Sequence, residues 1–294
     1  MDHLLSCSRG VNVMRGFRTT SAVLALAVGL GGQLGARTPF VTIDLDGAAQ
    51  DQVVGVNARG DVVGAFVSST DGRVHGFFLG RGDSQPTVLD FGSIRTNAMG
   101  INAQRDIVGR YDTPDGRFHG YRYNRDGYAS IDYPGATNTT ANGINDIGEI
   151  VGRYVDAGGR SHAYVLSHDA FTSFDVPGAV ATQAQGINNR GQVTGPYTTT
   201  DGRTHGYLKD GDTFLNIDVP GAVFTMPHGI NAEGEVVGEY RMPDGVNHGF
   251  LLTHADFETI DVPGLSFLYG INPRGDLVGS YTEGGRLHGF AVWK

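Results

Sequence analysis

The chain has 294 residues, of which 46 are glycine, about twice the usual share; 18% are charged, one is cysteine, and the net charge is −9. Glycine in that amount belongs to turns and short strands, and a lone Cys7 excludes both a disulfide framework and a thiolate metal site. An acidic chain with no basic stripe repels a phosphate backbone, so nucleic acid is not expected as a partner.

Residues 14–36 open with Arg15 and Arg18, run apolar from Ala22 to Leu30 and close on small residues at Ala36. That is the layout of a secretory signal peptide. The reading is a leader over 1–36, with Met14 as a possible true start, followed by one domain over 37–294. Leu34 fits poorly three places before a cut at Ala36, which leaves the cleaved bond open. A membrane anchor is disfavoured because the run is short and contains glycine. Without Arg9, Arg15, Arg18 and Asp2, the 22 basic and 31 acidic groups fall to 19 and 30, a net charge of −11. A secreted or periplasmic monomer, with no stable membrane span after cleavage, is expected.

The first segment after the leader, "FVTIDLDG" (Phe40–Gly47), alternates apolar and polar residues as a strand does. A longer phrase then recurs. "GINNRGQVTGPYTTTDGRTHGY" over 186–207 returns as "GINAEGEVVGEYRMPDGVNHGF" over 229–250. Six copies align on Gly55, Gly100, Gly143, Gly186, Gly229 and Gly270, at intervals of 45, 43, 43, 43 and 41. A fixed period of this size with several short strands per unit predicts a β-propeller.

Each unit reads as four strands, here A to D. Strand A ends in Gly-Ile-Asn and joins B through Asn-x-x-Gly, which suits a type I turn with a left-handed last residue. Asn272-Pro273-Arg274-Gly275 adds proline at a favoured place, whereas Arg105 replaces the glycine in the second copy and predicts a distorted hairpin. Strand C, of the "HGFLL" kind, follows turns such as Pro114-Asp115-Gly116 and Pro243-Asp244-Gly245. Strand D ends at Pro134, Pro177, Pro220 and Pro263, and proline places it at a sheet edge. The last unit stops after strand C, at "HGFAVWK", while Phe40–Gly47 is a D strand without A, B or C before it. The expected fold is therefore all-β: a six-bladed β-propeller of four-stranded blades, the last closed by the N-terminal strand.

Units such as "GINDIGEIVGRY…SHAYVL" (Gly143–Leu166) resemble the bacterial extracellular repeats called HAF, after a His-Ala-Phe signature that is nearest here in His162-Ala163-Tyr164. The resemblance covers residues 40–293. It implies a secreted protein and no particular activity.

Among chemically active residues, His75, His119, His162, His205, His248 and His288 recur once per unit. Equivalent positions on a ring cannot converge on one substrate or metal, so each imidazole is expected to bond a turn in its own or the next blade. The aspartates of the "ID" positions (Asp44, Asp132, Asp218 and Asp261, with Asp90 and Asp175) are expected to cap the loop after strand D. Arg81-Gly82-Asp83 falls in a C–D turn. No metal, cofactor or catalytic motif is recognised, and the absence of a metal site and of a cofactor is the expectation.

A single site on a ring needs copies that differ. The residue before the repeated glycine changes in every unit: Val54, Met99, Asn142, Gln185, His228, Tyr269. Two places earlier stand Gln52, Asn97, Thr140, Gln183, Met226 and Phe267, while the residue between stays small or apolar. Strand alternation puts both variable sets on one side, toward a central channel. Asn97, Asn142, Gln185, Met226, His228, Phe267 and Tyr269 are thus the candidate ligand-binding residues. They suit a module binding a glycan or another surface polymer. The alternatives are a polysaccharide hydrolase or lyase using His228 and Tyr269 as general acid and base, and an envelope scaffold.

Overall fold

Alternating, glycine-punctuated repeats can make short strands and tight turns and little else. Among the described residues the chain forms 25 strands and no helix. The computed structural model describes residues 39–254, 256–262 and 265–294. The expected leader over 1–36, and Met14 within it, lie outside the described residues.

In the third unit, strands Asn138–Ile144, Ile150–Val155, Ser161–Ser167 and Ala170–Phe174 pair antiparallel in that order, with A first and D at the edge. The fifth unit repeats this with Phe224–Ile230, Val236–Arg241, Asn247–Thr253 and Asp256–Ile260. In the fourth, strand A is split into Ala181–Thr182 and Gly186–Ile187, both paired with Val193–Thr198. The first and second units share one eight-stranded sheet, in which a single parallel pair, Val74 with Arg95, links their strands. The last sheet runs Val41–Ile43, Arg286–Val292, Leu277–Glu283, Leu265–Ile271, so the N-terminal strand is its outer member. Phe40 meets Tyr281 and Phe290 edge-on at 5.4 and 6.1 Å, Thr42 Oγ1 lies 2.9 Å from the Tyr281 hydroxyl, and Leu45 is buried.

The core lies between sheets. The residue two before the repeated glycine (Val53, Ala98, Ala141, Ala184, Leu268) is fully buried. A strand C aromatic, such as Phe77, Tyr121, Tyr164, Phe250 or Phe290, crosses the glycine of strand B, where a β-carbon would clash with that ring and with a strand A carbonyl. At the axis the units nearly touch. A β-carbon on Gly186 would stand 2.5 Å from the His228 carbonyl oxygen, and one on Gly270 would stand 2.9 Å from that of Val54. The same relation passes from each repeated glycine to the next unit and returns from Gly270 to Gly55.

The asparagine after that glycine ties the units together. Asn145 Oδ1 accepts from Glu149 N (2.9 Å), and its Nδ2 donates to Glu149 Oε2 (2.8 Å) and to the Asn188 carbonyl of the next unit (3.1 Å). Equivalent bonds to the neighbour run from Asn57 to Asn102, Asn102 to Asn145, Asn188 to Asn231, and Asn272 back to Asn57. The second A–B turn corrects the sequence expectation. Arg105 adopts φ +68°, close to Gly60 at +83° and Gly148 at +86°, and its amide bonds the Asn102 carbonyl at 3.0 Å as the glycines do. The hairpin is regular. The left-handed backbone costs a non-glycine residue about 1 kcal/mol, offset by an ion pair from Arg105 Nε to Asp61 Oδ2 at 2.8 Å across the unit boundary.

Three measurements test this frame. Asn145→Ala removes the bond between units to the Asn188 carbonyl, which keeps its turn bond from the Gly191 amide, and takes the side-chain acceptor from the Glu149 amide; it is expected to cost about 1–3 kcal/mol in a denaturant titration. Removing residues 37–46 strips the outer strand of the last sheet, and should cost roughly 3 kcal/mol or more and expose an edge that aggregates. Burial pushes the Asp61 and Asp276 carboxyls up, but bonds from Arg105, Asn57 and the Arg81 amide to Asp61, and from the Lys294 amide, Asn272 and Arg274 to Asp276, outweigh it and hold both below their ordinary 3.8. A depressed folded value means stability that is present above 3.8 and lost as pH falls below it. Thermal melts through that range should show the loss, and Asp61→Asn should blunt it.

Candidate functional site

Strand reversal puts the D–A loops and B–C turns on one face, and the main chain joins them there. Ser69 N donates to the Gly47 carbonyl, Thr137 N to that of Val155, and Val223 N to that of Arg241, each at 2.8 Å. The opposite face is narrow. Val56, Ile101, Ile144, Ile187, Ile230 and Ile271 close around the asparagine ring and leave a cavity of about 80 Å³.

The repeated histidines are frame, through a different partner from the one expected. Each Nδ1 lies 2.6 to 3.2 Å from the aspartate that ends strand D: His75 with Asp90, His119 with Asp132, His162 with Asp175, His205 with Asp218, His248 with Asp261, and His288 with Asp44. Phe66 or a strand B tyrosine stacks on each imidazole, with centroids 5.0 to 5.5 Å apart. Among the described residues, only His75 and His162 also reach an aspartate in the B–C turn, Asp71 and Asp156. The aspartates are therefore committed to histidine rather than to capping their loops; Asp90, which also accepts from Gly92 N, is the exception. Loop capping falls instead to Thr139, Thr182 and Thr225, whose hydroxyls accept from Tyr133 N, Val176 N and Val219 N. The Arg81-Gly82-Asp83 turn is likewise occupied: the Arg81 amide bonds Asp61, and its guanidinium lies 4.8 Å over Trp293.

The variable residue before the repeated glycine sits in a β-bulge of strand A, between Val53 and Gly55 in the first unit and between Pro227 and Gly229 in the fifth. A bulge re-aims a side chain, here toward the next unit. His228 and Tyr269 meet edge-on across the fifth and sixth units at 5.0 Å, and Tyr269 stacks at 6.2 Å on Phe267 of its own strand. Glu239, paired with Met226, lies 3.7 Å from His228 Nε2, and Gln52 hydrogen-bonds Tyr269 from the first unit. His228 Nε2 and Glu239 Oε2 are buried without a hydrogen-bond partner. Burial first, then the Glu239 charge, raises the Tyr269 phenol above its ordinary value against the pull of Gln52, so it keeps its proton at neutral pH.

The other candidates take other places. Asn142 is buried and donates to the Ala184 carbonyl at 2.8 Å, a tie between units. The Gln185 amide bonds the Thr194 carbonyl, and its own carbonyl abuts Gly143. Asn97 lines a cavity of about 170 Å³ between the first and second units, with Gln50, Gln52, Phe66 and Arg95. Sequence reasoning passed over the strand B residues opposite the variable set: Ala65, Arg110, Arg153, Pro196, Glu239 and Ser280. Arginine at positions 110 and 153 apart, they differ in kind from unit to unit just as Gln52, Asn97 and Thr140 do, and that shared variability is the signal that could have found them. Among the described residues no three His, Cys, Asp or Glu side chains gather to hold a metal, and no helix is long and apolar enough to cross a membrane.

No family model matches the chain, and no curated protein is similar to it. Solved structures are. A mutant of the Aleuria aurantia lectin in complex with Fucα1-6GlcNAc superposes with a TM-score of 0.53 at 12% identity, over 83% of this chain and 91% of that one. TolB from Acinetobacter baumannii gives 0.59 at 12% identity, over 85% and 65%. The β-propeller domain of the Trilobed protease from Pyrococcus furiosus gives 0.54 at 10% identity, over 83% and 93%. Likeness at this identity speaks for the fold alone, and the chain is a β-propeller.

Proposed function

We propose that this is an exported, six-bladed HAF-type propeller that binds a glycan at the loop-face mouth of its channel. Six blades are supported by counting the eight-stranded sheet as two and by the axial glycine contacts, which return to their start after six steps. The observation that carries the binding reading is the cluster of Phe267, Tyr269 and His228 beside Glu239 and Gln52. Aromatic rings stack on the apolar faces of sugars, while buried polar atoms without partners supply hydrogen bonds to hydroxyls. The similar Aleuria aurantia lectin carries a fucosyl sugar on the same architecture, which makes fucosylated oligosaccharides the first ligands to try. A phenol that keeps its proton is a hydrogen-bond donor to a sugar oxygen.

The test is binding of the full chain to a panel of fucosylated and fucose-free oligosaccharides, with product release followed in the same tubes. His228→Ala combined with Tyr269→Phe should weaken binding at least about tenfold and leave the melting temperature near that of the parent. His205→Ala with His248→Ala should do the opposite, lowering the melting temperature while sparing affinity per folded molecule. Unchanged binding in the first variant would refute the site, and released product would favour the hydrolase or lyase reading.

A further inference from the structure

We propose that the loop-face rim of the second and third units holds the carboxylate of an acidic saccharide residue between Arg110 and Arg153, an inference that rests on the glycan reading above. Both arginines lie near the ends of their B strands, next to the B–C turns of that face. Their guanidinium carbons stand 5.1 and 5.4 Å from one ring, that of Phe118. Stacking places the planar groups and packs their stems but leaves their N–H donors to be satisfied from the edge. Arg110 spends part of this capacity on Asp112, at 3.3 Å. Arg153 donates to a neutral hydroxyl, Ser161 Oγ at 3.3 Å, and among the described residues forms no ion pair.

Two half-buried cations on one ring repel each other, and a fold that needed only packing would meet that need with a neutral chain. Burial pulls both guanidiniums below their ordinary value; Asp112 opposes this at Arg110 while Arg95 adds to it, and Arg110 pulls Arg153 further. The surroundings supply the rest of a site. Thr140 pairs with Arg153 across the strands, is 3% exposed, and has a hydroxyl without a hydrogen-bond partner. Asn97 pairs with Arg110 and opens on the cavity that Arg95 also lines. A carboxylate matches this set, because it accepts two parallel bonds from an arginine fork and a third from a hydroxyl. A sugar ring bearing that carboxylate has hydroxyls for Asn97. In a chain of net charge −9, a local excess of positive charge of this kind selects an acidic residue rather than attracting anions in general.

The experiment compares binding of the full chain to an oligogalacturonate, to its methyl ester, to a neutral fucosylated oligosaccharide and to poly-L-glutamate. The expected result is at least about tenfold tighter binding of the acid than of its ester. Arg153→Met, which keeps the stem on Phe118, should abolish that preference, and Arg153→Lys should keep part of it. Melting curves of both variants establish that they fold. Neutral glycan binding with no preference for the acid, or a preference that survives Arg153→Met, overturns the arginine site alone. Equal binding of poly-L-glutamate and the oligogalacturonate, with no neutral glycan retained, overturns the saccharide reading and leaves an anion site. Absence of binding to all four overturns both.

Discussion

Everything in this fold depends on how closely the units approach each other at the axis. A repeated glycine lets each strand A lie against the carbonyl of the next, and an asparagine beside it carries the hydrogen bonding across the gap. Neither residue can be exchanged freely: a β-carbon would meet a backbone oxygen in place, and a shorter side chain would lose the bond across the gap and the turn bonds that the asparagine oxygen accepts. Radial stacking follows, because strands held this tightly at the centre must splay outward. The splay is filled by fully buried aromatics such as Tyr121, Tyr164 and Phe290.

The frame was legible because it is local and repeated. The A–B turn, the proline that ends strand D, and the odd D strand at the N-terminus each carry their instruction within a few residues, and Val41–Ile43 does pair with the C-terminal strand as that instruction implies. The two misjudged details share a cause. Arg105 was expected to distort its hairpin because local rules price a left-handed arginine without the ion pair to Asp61, 44 residues away. The "ID" aspartates were assigned to their own loops because a histidine 13 residues earlier comes within 2.9 Å only once strands C and D have paired. Closure adds a sharper case: His288 finds its aspartate in Asp44, at the far end of the chain.

The candidate site was legible only along strand A. Variation before the repeated glycine pointed to His228 and Tyr269, and these two do meet. Glu239, Arg110 and Arg153 were missed because their relation to Met226, Asn97 and Thr140 is one of cross-strand register, which one strand's alternation does not encode. The bulge contributed as well. Simple alternation treats the residues on either side of it as opposites, whereas a bulge turns its extra residue by an amount that depends on the paired strand.

The division of labour between frame and lining has an energetic basis. Groups that hold the units together are mostly satisfied, asparagine to carbonyl and histidine to aspartate, with the Tyr121 hydroxyl and Asp175 Oδ1 as exceptions. In the variable set and the strand B residues opposite it, Asn97 Oδ1, Thr140 Oγ1, Asn142 Oδ1, His228 Nε2, Glu239 Oε2 and Ser280 Oγ are buried without protein partners. Each such atom costs stability, about 1–3 kcal/mol, unless solvent or a ligand meets it. A repeat fold could have used alanine or valine at these positions, as it does at Val53, Ala98 and Ala184. Polar atoms without protein partners thus occur in each of these two residue sets, although Asn142 also ties its unit to the next through the Ala184 carbonyl. These are the positions on which the proposed glycan binding draws.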